Sequence, residues 1–148
     1  MDDVALAALV VVAGLLVGNE CGTRFVVHPA LGKLEHREQV LAERSIYAGE
    51  ARWVPFLMVG SLVLSFVAAG AADGDQATLL FAAGACIVAV VAITLVFNMP
   101  LNLRVLRATP EIPEDEWRSI RRRWDRLHSI RIVLDLAALG LIAAAAVS

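Results

Sequence analysis

Cysteine is scarce in this sequence, and the spacings that bind metals or phosphates are missing from it. The two cysteines, Cys21 and Cys86, form no CxxC pair, and their expected depths differ by roughly 10 Å, which is too far for a disulfide. The sequence has no glycine-rich phosphate loop, no nucleophile elbow and no Glu-x-x-His or His-x-x-x-His pair. These absences argue against a thiol-redox enzyme and against a di-iron bundle.

Basic residues are absent from the amino-terminal stretch, from the turn at 73–76 and from the carboxyl-terminal end. Of the 13 lysines and arginines, all but Arg24 and Arg131 fall in segments 33–52 and 104–126. By the positive-inside rule both segments face the cytoplasm, which predicts an N-out/C-out orientation in the cytoplasmic (plasma) membrane. The 104–126 run adjoins two apolar blocks and is interleaved with acids, so contact with anionic lipid accounts for it and no nucleic-acid partner is expected.

Four apolar blocks make up most of the remaining chain. The composition is 59% hydrophobic and 19% charged, whereas soluble domains have about 45–50% apolar residues. Each block has the roughly 20 residues that a helix needs to cross ~30 Å of hydrocarbon. Met1 is followed by Asp2 and Asp3, so we interpret the first block as a retained helix and not a cleaved signal.

The prediction is therefore an all-α fold, an integral membrane four-helix bundle lying in the lipid bilayer. It forms a single transmembrane domain over residues 1–148, with helices at about 4–33, 53–72, 77–106 and 114–147. Small residues in the helices leave room for close helix contacts or for a homodimer. These residues are Gly60, Gly70, Gly84 and Gly140.

Polar and charged side chains interrupt three of these helices at one predicted depth. An unpaired ionisable residue inside a transmembrane helix costs roughly 2.5–3.5 kcal/mol. We therefore expect these side chains to face the bundle interior, to pair with opposite charges and to meet near the cytoplasmic face. On the last helix, four of them fall within about 60° of one another at ~100° per residue. They are Glu20, Arg24 and His28 in the first helix, Asn98 and Asn102 in the third, and Trp124, His128, Arg131 and Asp135 in the last.

Two interpretations of this polar layer stay open from the residues alone. It can be a set of salt bridges and amide hydrogen bonds that holds the helices together, or a pocket for a hydrophobic small molecule. A single iron or copper ion would need several of Glu20, His28, His128 and Asp135 to converge, and haem would need His28 and His128 as axial ligands. The spacing favours neither, so the prediction is no metal and no cofactor.

Four motifs are distributed along the chain. They are GNE at 18–20, VHPAL at 27–31, FNMPLN at 97–102 and RRWDRLHSIR at 122–131. In these motifs the chain resembles the anthrone oxygenase-like family of small four-helix membrane proteins, and the resemblance covers nearly its whole length.

The resemblance implies an oxygenase that turns the activated methylene of a tricyclic anthrone into a ketone with molecular oxygen, without a cofactor. His128 or Glu20 would then be the base, and Trp124 would stack on an aromatic or quinone-like substrate. A non-catalytic protein that binds a lipid, a quinone or a partner subunit stays open as the alternative, so the chain need not be an enzyme. The candidate catalytic residues are Glu20, His28, Asn98, Asn102, His128 and Arg131, and the candidate substrate-binding residues are Arg24, Trp117, Trp124 and Asp135.

Overall fold

Four long helical rods make up the structure, a computed structural model that describes residues 3–148, with side chains from Val4 onward. Met1 and Asp2, on which the interpretation of the amino-terminal charge partly rests, lie outside the described residues. The helices are α1 (Asp3–Gly22, a π-helical turn at Thr23–Val27, then His28–Leu31), α2 (His36–Glu50), α3 (Val54–Gly70), α4 (Gly74–Ile93, a π-helical turn at Thr94–Asn98, then Met99–Arg107) and α5 (Glu114–Ala145).

The apolar helices confirm the prediction of an all-α membrane protein with four transmembrane helices. Within the described chain, α1, the continuous rod of α2 and α3, α4 and α5 are each long and apolar enough to cross a membrane. The structure differs from the predicted bounds in the polar connection at 33–52, which is largely filled by α2. A turn at 51–53 joins α2 directly to α3.

The helices pack in a ring in chain order, so that neighbours run antiparallel. The helix α3 packs on α1 and α4, and α5 packs on α4 and closes the ring against α1. The half of the bundle near the α3–α4 turn has an apolar core that includes Leu9, Leu80 and Ile142. The charged side chains therefore collect at the opposite end of the bundle.

Both π-helical turns end two residues before a proline. The turn at Thr23–Val27 precedes Pro29, and the turn at Thr94–Asn98 precedes Pro100. Proline donates no hydrogen bond, and its ring clashes with the carbonyl four residues earlier, so a regular α-helix is strained there. A wider turn relieves that strain, and such turns are frequent at functional sites. Both wide turns lie beside the polar residues that interrupt α1 and α4.

A second, smaller core lies at the charged end. There α2 packs against the last turns of α4, and Val40 is buried with Val105, Trp117 and Ile120. Because α2 and α3 are continuous, this packing fixes the position at which α3 begins. The helix α2 therefore covers one side of the polar layer, which the sequence analysis assigned to three helices only.

Candidate functional site

A buried ion pair between α1 and α5 lies at the centre of the polar layer. Arg131 donates a hydrogen bond from Nη2 to Oε1 of Glu20. The two residues are only 5% and 2% exposed. The expectation that these two charges would pair inside the bundle is confirmed.

His128 contacts the same glutamate twice. Its Nε2 lies 3.1 Å from the backbone carbonyl of Glu20, and because a carbonyl only accepts, Nε2 carries a proton. Its Nδ1 lies 3.1 Å from Oε2 of Glu20, although the angle is not that of a hydrogen bond. With its proton on Nε2, the neutral imidazole presents the lone pair of Nδ1 to this carboxylate, so a proton taken up by either group would relieve the repulsion between them.

Trp124 and Asn102 continue the site toward α4. The indole Nε1 of Trp124 donates to Oδ1 of Asn102 at 2.9 Å. The same indole stacks on the ring of His128, with ring centres 4.3 Å apart and an interplanar angle of 21°. Since the amide oxygen of Asn102 is occupied, its two N–H donors remain available to a ligand. Trp124 therefore orients both a donor and the imidazole.

These side chains line one cavity of about 210 Å³. The exposed residues of its lining are all apolar, and they include Pro55 of α3 and Met99 and Leu103 of α4. The cavity therefore opens between α3 and α4, toward the surface that faces lipid. Its polar wall contains Glu20, Tyr47, Glu50, Asn102, Trp124, His128 and Arg131.

Tyr47 and Glu50 of α2 were missed by the sequence analysis, which treated their segment as a polar connection. Both line the cavity, and Oε1 of Glu50 accepts a hydrogen bond from Oγ1 of Thr23 at 2.8 Å. The spacing of Glu43, Tyr47 and Glu50 at i, i+4 and i+7 is the signal that could have found them, because it puts three polar side chains on one helix face.

His28 lies in a second polar cluster beside the cavity. Its Nδ1 is 3.1 Å from Oδ1 of Asp125, and its Nε2 is 3.4 Å from Nη1 of Arg121. Arg121 also pairs with the buried Glu43 at 2.9 Å. A small cavity of about 20 Å³ within this cluster has room for one water molecule, which needs ~10–15 Å³. His28 lines this small cavity and does not line the larger one.

The other predicted site residues also lie outside the cavity lining. Arg24 donates from Nε to Ser129 Oγ at 3.1 Å, and Trp117 is buried in the core under α2. Asn98 is fully buried, and neither atom of its side-chain amide has a partner within the described chain. Asp135 lies one turn beyond Arg131, and its Oδ2 is likewise without a hydrogen bond.

The buried donor groups do not have the arrangement that a metal ion or a haem needs. Among the side chains that the structure describes, from Val4 onward, no group of three or more His, Cys, Asp or Glu is placed to hold a metal ion. The rings of His28 and His128 are 6.2 Å apart, and Trp124 packs against both of them. That packing leaves no slot for a haem between the two imidazoles. That the protein needs no cofactor stays a prediction.

The fold and the site together define a class of protein: a four-helix membrane bundle with a charge-paired cavity that opens among its apolar helices. Comparison with protein families shows that the chain belongs to the anthrone oxygenase family, whose model matches residues 43–141. The match covers about two thirds of the chain and confirms the family resemblance; the motifs at 97–102 and 122–131 lie within it, whereas those at 18–20 and 27–31 precede it. No curated protein and no solved structure matches the chain.

Proposed function

We propose that this protein is a membrane-embedded oxygenase for a hydrophobic aromatic molecule of the anthrone type. The observation that carries the proposal is the Glu20–His128 pair, which faces the cavity next to Arg131 and Trp124. Family membership supports the type of reaction, and the apolar mouth between α3 and α4 supports a substrate that arrives from lipid. All five helices line the cavity, so we propose that the chain works as one domain.

The size of the cavity limits how the substrate binds. Pockets for drug-sized ligands are about 300–1,000 Å³, whereas this cavity is about 210 Å³. The reacting ring of a tricyclic substrate would therefore lie inside, with the remaining rings in the mouth against Met99 and Leu103. The ring of Trp124 stacks on His128 and lies under the Arg121 guanidinium, so it would present its edge to the buried ring beside the base.

Glu20 and His128 are the proposed base for the reacting C–H bond. Nδ1 of neutral His128 and Oε2 of Glu20 lie 3.1 Å apart with their lone pairs facing each other, and a proton taken from the substrate would remove that repulsion. The negative charge that develops on the substrate oxygen would accept hydrogen bonds from Asn102 and from Nη1 of Arg131. Fixed donors of this kind are strongest where water is excluded.

The resulting carbanion reacts with oxygen without an added reductant. A C–O bond forms between the carbanion and O₂, and the peroxide anion takes one proton. Loss of the second C–H proton then breaks the O–O bond, forms the C=O bond and releases hydroxide, which leaves as water. The methylene and O₂ thus become a ketone and H₂O, and the protein supplies proton transfer and charge stabilisation.

We also propose the N-out/C-out orientation in the plasma membrane, with the cavity near the cytoplasmic face. Both arginine-rich segments lie at the end of the bundle that contains the cavity, and this end also contains α2. Segments rich in lysine and arginine are retained on the cytoplasmic side of the membrane. A cysteine-accessibility experiment at Thr109, between α4 and α5, and at Ser148 tests this orientation from opposite ends.

The reaction is tested with protein in lipid nanodiscs, anthrone as the substrate, and measurement of O₂ uptake and quinone formation. We expect His128→Gln and Glu20→Gln each to lower turnover by about 10²–10⁴-fold, the usual contribution of general acid–base catalysis. His36→Gln is the matched control, because His36 contacts the Ile112 carbonyl outside the cavity. Folded variants that keep the wild-type rate would contradict the assignment of the base.

A non-catalytic binding protein is the second candidate, favoured by a separate observation. The Glu20–Arg131 and Trp124–Asn102 contacts join α1, α4 and α5, as polar contacts that stabilise a bundle would. Wild-type protein that binds anthrone, seen as quenching of tryptophan fluorescence, but does not accelerate its oxidation would support this function over the oxygenase.

A further inference from the structure

A groove separate from the cavity lies on the outer surface between α4 and α5, near the charged end of the bundle. Its volume is about 320 Å³, and it shares no lining residue with the central cavity. Its lining combines apolar side chains with three arginines, and no acidic residue contributes to it. The lining residues are Val96, Phe97, Pro100, Leu101, Leu127, Arg104, Arg123 and Arg126.

The positive charge of this groove is largely uncompensated. Arg123 and Arg126 form no ion pair with any residue that the structure describes. Arg104 pairs with Glu116 at 2.9 Å, but the two side chains are 53% and 45% exposed. Such a surface pair contributes little and can be replaced by another anion at small cost. Three guanidinium groups are therefore available to one ligand.

The apolar part of the groove lies deeper along the bundle. Val96 and Phe97 are 61% and 56% exposed, and they belong to the π-helical turn of α4. Phe97 and Arg104 are separated by about 10 Å along the helix axis. The groove thus presents apolar side chains toward the middle of the membrane and arginines toward its surface.

We propose that this groove binds an anionic phospholipid. Its phosphate would lie among Arg104, Arg123 and Arg126, because guanidinium groups bind phosphate through paired hydrogen bonds. One acyl chain would lie along Val96 and Phe97. A net negative headgroup is favoured over a zwitterionic one because no acidic side chain lines the groove to receive a choline or an ethanolamine cation. Basic pockets between transmembrane helices are known to hold anionic headgroups.

The test is lipid binding to the full-length protein in a neutral detergent, measured by native mass spectrometry. The probes are dioleoylphosphatidylglycerol, dioleoylphosphatidylcholine and inorganic phosphate, each titrated separately. We expect phosphatidylglycerol to bind at least tenfold more tightly than phosphatidylcholine, and inorganic phosphate not to displace it. The double variant Arg123→Gln/Arg126→Gln should weaken phosphatidylglycerol binding by about 30-fold, as loss of two surface arginines predicts.

The matched control is Arg118→Gln/Arg122→Gln, which removes the same charge from the same helix outside the groove. It should change phosphatidylglycerol binding by less than about threefold, because only contact with the groove is specific. Equal losses in the two double variants, or equal affinity for the two lipids, would overturn the proposal. Displacement by inorganic phosphate would also overturn it, since the groove would then be a simple anion site. None of these outcomes depends on the proposed oxygenase activity.

Discussion

Replacing Arg131 by methionine removes one charge of the ion pair that joins α1 and α5. Glu20, only 2% exposed, would then lose its positively charged partner, and Asp135 would remain as a second buried acid on the next turn of α5. Methionine keeps an unbranched, flexible side chain without a charge, although it is shorter than arginine, so the main change is electrostatic. The variant therefore measures how strongly the bundle depends on the pair.

The expected loss of stability lies between two known limits. Breaking a buried ion pair in a soluble protein costs about 3–5 kcal/mol. Polar contacts in membrane bundles contribute only about 0.6 kcal/mol on average, because separated helices find other partners. An unpaired acid left within a transmembrane helix costs about 2.5–3.5 kcal/mol. We expect about 3 kcal/mol for Arg131→Met and about 1 kcal/mol for Glu20→Gln/Arg131→Met, in which no charge of the pair remains.

The assay is reversible unfolding in mixed SDS and neutral detergent micelles, followed by helical circular dichroism. The wild type, both single variants and the double variant complete a thermodynamic cycle. Arg24→Met is the control, because Arg24 donates only to a serine hydroxyl and should cost below about 1 kcal/mol. A loss below about 1 kcal/mol for Arg131→Met, or a double variant as unstable as the sum of the singles, would refute the reasoning.

Two further predictions concern packing, measured by the same unfolding assay. Asn98→Leu should raise stability by about 1–2 kcal/mol, because both amide atoms are buried without a partner in the described chain; a loss would show that the amide is satisfied. Gly84→Ala should be about 1 kcal/mol less favourable than Gly14→Ala, since its new Cβ would lie 3.0 Å from Phe66 Cζ. Gly14→Ala meets no atom within 4 Å and should be neutral or stabilising, and equal effects at both glycines would contradict the packing argument.

The polar layer could be predicted because burying charge is costly. Glu20 and Arg131 sit in apolar helices, and the cost of leaving them unpaired required that they meet. The face shared by Trp124, His128, Arg131 and Asp135 was also predictable, and all four are buried. Helical periodicity gives an angle around the axis but not the height at which a cavity ends. Asp135 shares the face of the other three residues but lies beyond the end of the cavity, and periodicity alone could not predict this.

The position of His28 could not be predicted from its spacing. Steps of four residues from Glu20 through Arg24 to His28 suggest one continuous face, and the π-helical turn at Thr23–Val27 lies within it. All three side chains still contact α5, at Arg131, Ser129 and Asp125 respectively, so His28 is separated from the cavity by its height along the bundle and not by the face on which it lies. Pro29 was a visible cause of that turn, although proline alone does not specify whether a helix kinks, ends or widens.

Under the proposed function, the mouth between α3 and α4 makes the bilayer the solvent from which the substrate would be taken. A flat aromatic molecule is concentrated in hydrocarbon by partition, so its supply at Pro55 and Leu103 depends on its mole fraction among the lipids and not on its solubility in water. A product that gains polarity would be less well retained in that phase. The proposed oxygenase would therefore need no strong intrinsic affinity for a scarce apolar substrate, since the membrane would already concentrate it at the entrance.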